Sequence, residues 1–225
     1  MGTWSFMELI LLVIVSGSLL IEAQAPIPPK YDGFVYGGGK ERGFTDSIVI
    51  EAFYDPLCPF SRDSWPPLKK TIKHYSRSHA VTLIVHPFPL PYHDNAFVAS
   101  RALHIANNLN SSTTYHLLEL FFKHQERFYH KPTRLLSRAS IVSHIAKFMT
   151  RALGNSSLPD IESAFEDSKT DQQTRISFKY SCSRSVIGTP TFFVNGFPAP
   201  DDGSDFDYKK WKSIIDPLLS ANGDQ

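Results

Sequence analysis

Apolar positions along this chain follow two rhythms, and the switches between them divide it into parts. Leu9 to Ile21 is almost wholly apolar, a run shorter than the ~20 residues that span a bilayer. Ala25 to Lys30 is proline-rich and reads as extended. From Ser47 to Tyr54, Ile48, Ile50 and Ala52 point to one face and Val49 and Phe53 to the other, which predicts a strand buried on both sides. Pro59 to Ser76 predicts a helix, with Pro59 at the first helical position, where no N–H is required. Pro66-Pro67 is expected to interrupt or kink it, since each ring removes a donor and crowds the preceding turn. Val81 to Val85 predicts a second strand, and Pro87, Pro89 and Pro91 take the chain out of the sheet.

Helical periodicity then dominates. It predicts four helices, from about Asn95 to Asn107, Thr114 to Gln125, Ser140 to Arg151 and Leu158 to Tyr180. Ser137 or Ser140 would cap the third, and Pro159-Asp160-Ile161-Glu162 reads as a helix start. Strand character returns at Thr191 to Val194. Asn195-Gly196 is a hairpin turn signal, and Pro198 and Pro200 limit its partner to a short edge strand. Asp207 to Leu219 closes the pattern as a helix with Trp211, Ile214, Ile215 and Leu218 on its apolar side. The whole is an α/β order: strand, helix, strand, long helical block, two strands, helix.

Composition changes this picture in three places. Ala23-Gln24-Ala25 after the apolar run supplies small residues for cleavage, so residues 1–24 read as a signal peptide, although no Lys or Arg precedes the run. The sequons Asn110-Ser111-Ser112 and Asn155-Ser156-Ser157 fit the same route as glycosylation sites. The expectation is a secretory-pathway protein, in the endoplasmic reticulum lumen, a vacuole or the extracellular space. It would meet a membrane only if the N-terminal segment stays uncleaved. No Lys-Asp-Glu-Leu-like signal ends the chain. Loss of the leader, with its two acidic and no basic residues, moves the formal charge from +1 to +3. Lys and Arg are scattered along the sequence, which speaks for a solvated surface and against a nucleic-acid partner.

Gly37-Gly38-Gly39-Lys40 lacks the spacing and the Ser or Thr of a phosphate-binding loop, and reads as a turn. Nine histidines, among them His93, His124 and His130, show none of the spacings that mark a metal site, so no metal is expected. The aromatic pairs Phe121-Phe122 and Phe128-Tyr129 read as packing between helices, with a peptide groove as the lesser alternative.

The candidate chemistry sits at Tyr54-Asp55-Pro56-Leu57-Cys58-Pro59-Phe60-Ser61-Arg62. Cys58 falls at a strand-to-helix corner, where unpaired N–H groups and the helix dipole favour a thiolate. Cysteines activated in this way have pKa values of about 3.5–7.5, against ~8.5 for a free thiol. Ser61 and Arg62, in the first turn, are the candidates to stabilise that charge. Ser61 occupies the position where a dithiol redox motif carries its second cysteine, and a hydroxyl cannot form a disulfide.

Cys58-Pro59-Phe60-Ser61, followed far downstream by Gly188-Thr189-Pro190-Thr191 before an aromatic strand, resembles the thioredoxin superfamily. The helical block between the two motifs makes it similar to the DsbA-like branch. The resemblance implies an α/β, thioredoxin-like fold over residues 47–225, with a helical insertion at about 93–183, preceded by an extended segment over 25–46. It implies Cys58 as nucleophile, with Ser61 and a cis Pro190 completing the site, and Pro59, Phe60 and Thr189 contacting substrate. It also places Cys182 near the active-site side of the core, as a disulfide partner or resolving thiol for Cys58.

The implied function is monothiol thiol–disulfide exchange on protein thiols or glutathione adducts, with glutathione as co-substrate and no resident cofactor. Two alternatives stay open. One is a redox-inactive thioredoxin-like module that binds peptide in a chaperone-like manner. The other is a transferase similar to the kappa-type glutathione transferases, whose serine near this corner Ser61 would match.

Overall fold

Alternation along one strand sorts the molecule into two packed faces. A computed structural model describes residues 32–36, 47–75, 80–154, 158–201 and 203–223. The proposed leader, most of the extended segment, the glycine-rich turn and Asn155 lie outside the described residues. Five strands form one sheet: β1 (Phe34–Val35), β2 (Ile48–Tyr54), β3 (Val81–Pro87), β4 (Thr191–Val194) and β5 (Phe197–Pro198). Their order is β1-β3-β2-β4-β5. Only β2 and β3 run parallel, with Ile48 opposite Val81 and Tyr54 opposite Pro87. β2 is therefore flanked on both sides, antiparallel to β4 on the other edge.

Among the described residues, eight helices accompany the sheet. α1 (Pro59–Tyr75) makes the crossover between β2 and β3. Between β3 and β4 come α2 (Ala96–Asn110), α3 (Thr114–His124), α4 (His130–Thr133), α5 (Arg138–Leu153), α6 (Leu158–Glu166) and α7 (Ser168–Ser183), and α8 (Tyr208–Gly223) ends the fold. Single turns of tighter helix at Ser111–Thr113 and Gln125–Phe128 bracket α3. Among the described residues, no helix is long and apolar enough to cross a membrane.

Ile48, Ile50, Ala52 and Tyr54 enter the main core with Trp65 and Leu68 of α1, Leu103 of α2 and Trp211 and Ile215 of α8. Phe53 faces the other way, into a smaller cluster with Cys58, Phe88, Leu90, Val186 and Phe193. Phe121, Phe128 and Phe148 pack edge-on or tilted within the helical block, at centroid distances of 5.2–5.6 Å. Phe121, Phe122 and Phe128 thus pack in the core, whereas Tyr129 is half-buried and lines a cleft.

Two elements depart from the sequence pattern. α1 runs unbroken through Pro66 and Pro67. Burial of Trp65, Leu68, Thr71, Ile72 and Tyr75 along one side holds it, because packing of an apolar face outweighs local propensity in folded helices. The long helix expected from Leu158 to Tyr180 is two helices, α6 and α7. Asp167 separates them: its extended backbone leaves the first helix and its carboxylate accepts the Lys169 N–H at 2.9 Å, capping the second. Ser137 caps α5 in the same manner, accepting the Ser140 N–H at 3.1 Å.

The second face of β2 also carries Glu51, which joins a buried polar network. His86 of β3 is fully buried, with Nε2 3.3 Å from Glu51 Oε1 and Nδ1 3.3 Å from Asp32 Oδ2. Its ring lies near-parallel to those of Phe53 and Tyr180, at centroid distances of 4.6 and 4.9 Å. Tyr180 donates to Glu51 at 2.8 Å, and Arg184 reaches the same carboxylate at 3.2 Å. Gly33 has to be glycine here: its φ is +93°, and a Cβ would lie 2.7 Å from His86 Nδ1. Burial alone would lower the His86 pKa, but the Asp32 and Glu51 carboxylates reverse this and raise it. Glu51 is pushed up by burial and brought below its ordinary value by His86, Tyr180 and Arg184. His104, beside the network through Ser177 at 3.1 Å, is driven down to about 4 by burial.

These shifts fix how stability varies with pH. His86 gains protonation on folding, so its contribution is complete below pH 6.5 and is lost as pH rises through its raised folded value. His104 behaves oppositely: as pH falls from 6.5 to about 4 the unfolded chain takes up a proton that the folded one refuses. That costs on the order of 3 kcal/mol across the window. Urea unfolding from about pH 4.5 to about pH 9 should therefore show maximal stability near neutrality, and His104→Asn should flatten the acid side. Stability that climbs steadily toward acid pH would contradict this assignment.

Candidate functional site

The corner between β2 and α1 is a tight turn held by one buried carboxylate. Asp55 is fully buried, and its Oδ1 accepts the Leu57 N–H at 2.7 Å while its Oδ2 accepts the Leu90 N–H at 2.9 Å. Oδ2 also lies 2.7 Å from His93 Nδ1, and the Cys58 N–H donates to the Asp55 carbonyl at 3.0 Å. The short Asx turn from Asp55 to Leu57 is a local habit of aspartate. Its links to Leu90 and His93 bring in the proline-rich loop after β3.

Cys58 immediately precedes α1, and its carbonyl accepts the Arg62 N–H at 3.1 Å, the first helical bond. The residue is only 2% exposed. Its Sγ donates to the Thr189 carbonyl at 3.4 Å, across 131 positions of sequence. The Thr189–Pro190 peptide is cis. Thr189 Oγ1 is buried and, among the described residues, has no hydrogen-bond partner.

From the helical block, the buried Gln125 donates through Nε2 to the carbonyls of Pro56 and Cys58, at 3.3 and 3.2 Å. Tyr129 holds that amide, donating to Gln125 Oε1 at 2.9 Å. Burial, together with the nearby Glu126 carboxylate, keeps the Tyr129 phenol above its ordinary pKa, so it serves as a neutral donor.

The structure brings Cys58, Pro59, Thr189 and Pro190 to one place, and leaves other expected residues in different roles. Ser61 is fully buried, and its hydroxyl accepts the Asp55 N–H at 3.3 Å, so it braces the turn. Arg62 pairs with Asp63 at 2.8 Å and with Glu126 at 3.0 Å, on the surface. The charge partners expected of Cys58 are thus engaged elsewhere. Phe60 is 72% exposed beside the corner. Cys182 is a free thiol on an exposed side of α7, while Cys58 is free and buried against the Thr189 carbonyl. The bridge considered from sequence is not formed. Asn110 is exposed at the end of α2, where Oδ1 accepts the Ser112 N–H and hydroxyl.

The sequence placed Asp55 only within the Cys58 motif, His93 among the histidines without a metal spacing, Tyr129 in an aromatic pair and Gln125 at a helix end; it gave none of them a role at this corner. Only Asp55 left a signal there, as an aspartate before a proline at a strand end. A cleft of about 240 Å³ opens beside the corner, lined by Leu57, Pro59, Tyr92, His93, Tyr129 and His130 among others. His130 Nδ1 pairs with Asp94 at its exposed rim. Among the described residues, no group of three or more His, Cys, Asp or Glu side chains is placed to hold a metal.

Residues 42–217 match a family model described as Thioredoxin. No curated protein matches the chain. A structure described as a putative protein-disulfide isomerase from Pseudomonas syringae is similar, with a TM-score of 0.66 and 22% identity over 82% of this chain and 98% of that one. The thiol-disulfide exchange protein alpha-DsbA2 from Wolbachia pipientis gives 0.58 and 16%, over 83% of this chain and 87% of that one. The catalytic domain of Proteus mirabilis ScsC gives 0.58 and 17%, over 93% and 98%. At these identities the likeness concerns the fold: α/β and thioredoxin-like, with a helical insertion, as the two motifs implied.

The Asp55 contacts carry a measurable load. Asp55→Ala orphans two buried N–H groups and strips His93 of its partner. Urea unfolding should register a loss of about 3–5 kcal/mol. Asp55→Asn, which keeps an acceptor in place, should lose less. A loss below ~1 kcal/mol in the alanine variant, no more than an ordinary surface change, would show the corner to be held by other contacts.

Proposed function

The chain belongs to the thioredoxin family, and from that premise we propose that it exchanges thiols and disulfides at Cys58 as a monothiol enzyme. The observation that carries this reading is the placement of Cys58 at the N-terminus of α1, with Sγ against the backbone of the cis Thr189–Pro190 peptide. The exposed Phe60 and Ile187 flank the junction.

In the proposed reaction the Cys58 thiolate attacks one sulfur of a substrate disulfide. The S–S bond breaks as a mixed disulfide forms, and the leaving sulfur departs as a thiolate that takes a proton from solvent. Ser61 cannot attack the adduct, so a second thiolate, from glutathione or a substrate protein, displaces Cys58 and restores it. Glutathione is therefore a co-substrate and polypeptide thiols are the partners. The cleft lined by Leu57, Pro59, Tyr92 and Tyr129 offers the adjoining surface for an extended polypeptide.

The apolar leader and the sequons at Asn110 and Asn155 support action in the secretory pathway, where disulfides persist. A second reading is a binding module without redox turnover. It is favoured by the 2% exposure of Cys58 and by the engagement of Ser61 with the Asp55 N–H.

A Cys182→Ser background isolates Cys58. Reduced protein exposed to oxidised glutathione should gain one glutathione adduct at Cys58, detected by intact mass, and lose it to reduced glutathione. Cys58→Ser should abolish both steps. Ser61→Cys should add insulin-reducing activity by supplying a resolving thiol. If native protein forms no adduct while urea-unfolded protein does, the thiol is sealed off and the binding reading holds.

A further inference from the structure

Basic residues scattered in the sequence converge on one pocket of the helical block. A cavity of about 210 Å³ is lined by Arg127, Phe128, His144, Lys147, Phe148 and Arg151. Arg127 comes from the turn after α3, and the other three basic or titratable residues from one side of α5. No acidic side chain lines the cavity. Among the described residues, no carboxylate lies within ion-pair distance of Arg127, Lys147 or Arg151. The neighbouring Glu126 is taken up by Arg62, at 3.0 Å.

The pocket is organised as well as charged. Phe148, only 3% exposed, forms its floor. The guanidinium carbons of Arg127 and Arg151 lie 5.8 and 5.9 Å from the centroid of that one ring. Contact with an aromatic face steadies a guanidinium while leaving its N–H fork free for an oxyanion. His124 approaches the same ring edge-on, at 6.0 Å.

Complementing the helix dipole accounts for Arg151, in the last turn of α5. It does not account for Lys147, one turn earlier, for His144 before that, or for Arg127 on another element. Lys147 and Arg151 are moreover a like-charged i,i+4 pair, an arrangement that destabilises a helix unless a counter-charge is present. The volume lies below the ~300–1,000 Å³ of pockets for drug-sized molecules, and so suits a compact group.

We propose that this pocket binds a multiply charged oxyanion, a phosphate or sulfate group. Arginine forks recognise the paired oxygens of such groups through parallel hydrogen bonds, and Lys147 adds a further charge. The site is separate from the Cys58 corner, although Phe128 lines both this pocket and the cleft beside Cys58.

The test titrates the full chain with inorganic pyrophosphate and, separately, with sodium sulfate. Sodium chloride holds the ionic strength constant, and the His144 ring resonances and binding heat are followed. Saturable binding is expected, and the Arg127→Gln, Arg151→Gln double variant should weaken it at least tenfold with an unchanged urea midpoint. Lys179→Gln, an exposed change on α7, should bind as the parent does. Tighter binding of pyrophosphate assigns the site to phosphate groups, and tighter binding of sulfate to sulfate esters. Shifts reproduced by chloride alone, or equal affinity in the double variant, would overturn the proposal. Glutathionylation of Cys58 in the double variant reports separately on the thiol chemistry.

Discussion

A buried carboxylate with three partners sets the corner on which this protein's site is built. Asp55 ends β2 and accepts N–H groups from Leu57 and Leu90, and it holds His93. A buried carboxylate is costly unless its lone pairs are filled, and here filling them joins three pieces of chain: the strand end, the turn before α1 and the loop after β3. The position of Cys58 follows from that closure. Its backbone is fixed by the Asp55 turn below and by Gln125 from the helical block above, and its sulfur meets the Thr189 carbonyl.

The helical block is therefore more than an appendage to the sheet. Gln125 and Tyr129 tie it to the two carbonyls of the Cys58 turn. Phe128 packs on Phe121 and Phe148 behind them. The same short turn then separates two surfaces of different character: a cleft with tyrosine and histidine beside the cysteine, and a basic pocket on the far side of Phe128. One rigid turn thus shapes both.

β2 divides the interior in a comparable way. One face feeds the main apolar core, and the other carries Glu51 into the His86–Asp32 network. His86 is fully buried with the rings of Phe53 and Tyr180 against it, and the carboxylates of Asp32 and Glu51 face its two ring nitrogens. Ser61 shows the same economy near the thiol. In the position of a second cysteine it does not attend Cys58 but accepts the Asp55 N–H. A hydroxyl there serves the turn whether or not the thiol reacts.

Much of this was legible in the sequence, for a physical reason. Strand alternation, helix periodicity and the demands of Pro and Gly act over a few residues, so β2, α1, α5 and the hairpin at Asn195-Gly196 were readable locally. The pairing of Cys58-Pro59-Phe60-Ser61 with Thr189-Pro190 was implied only by the resemblance of the two motifs to the thioredoxin superfamily. Where local rules competed with packing, the sequence misled: Pro66-Pro67 did not break α1, and a capping Asp167 split one long helix into two. What only the tertiary structure decided was which distant groups meet. Asp55 with His93, Gln125 with the Cys58 carbonyl, and Arg127 with Arg151 around Phe148 are brought together by burial and closure of the fold. Contacts of that kind have no period along the chain.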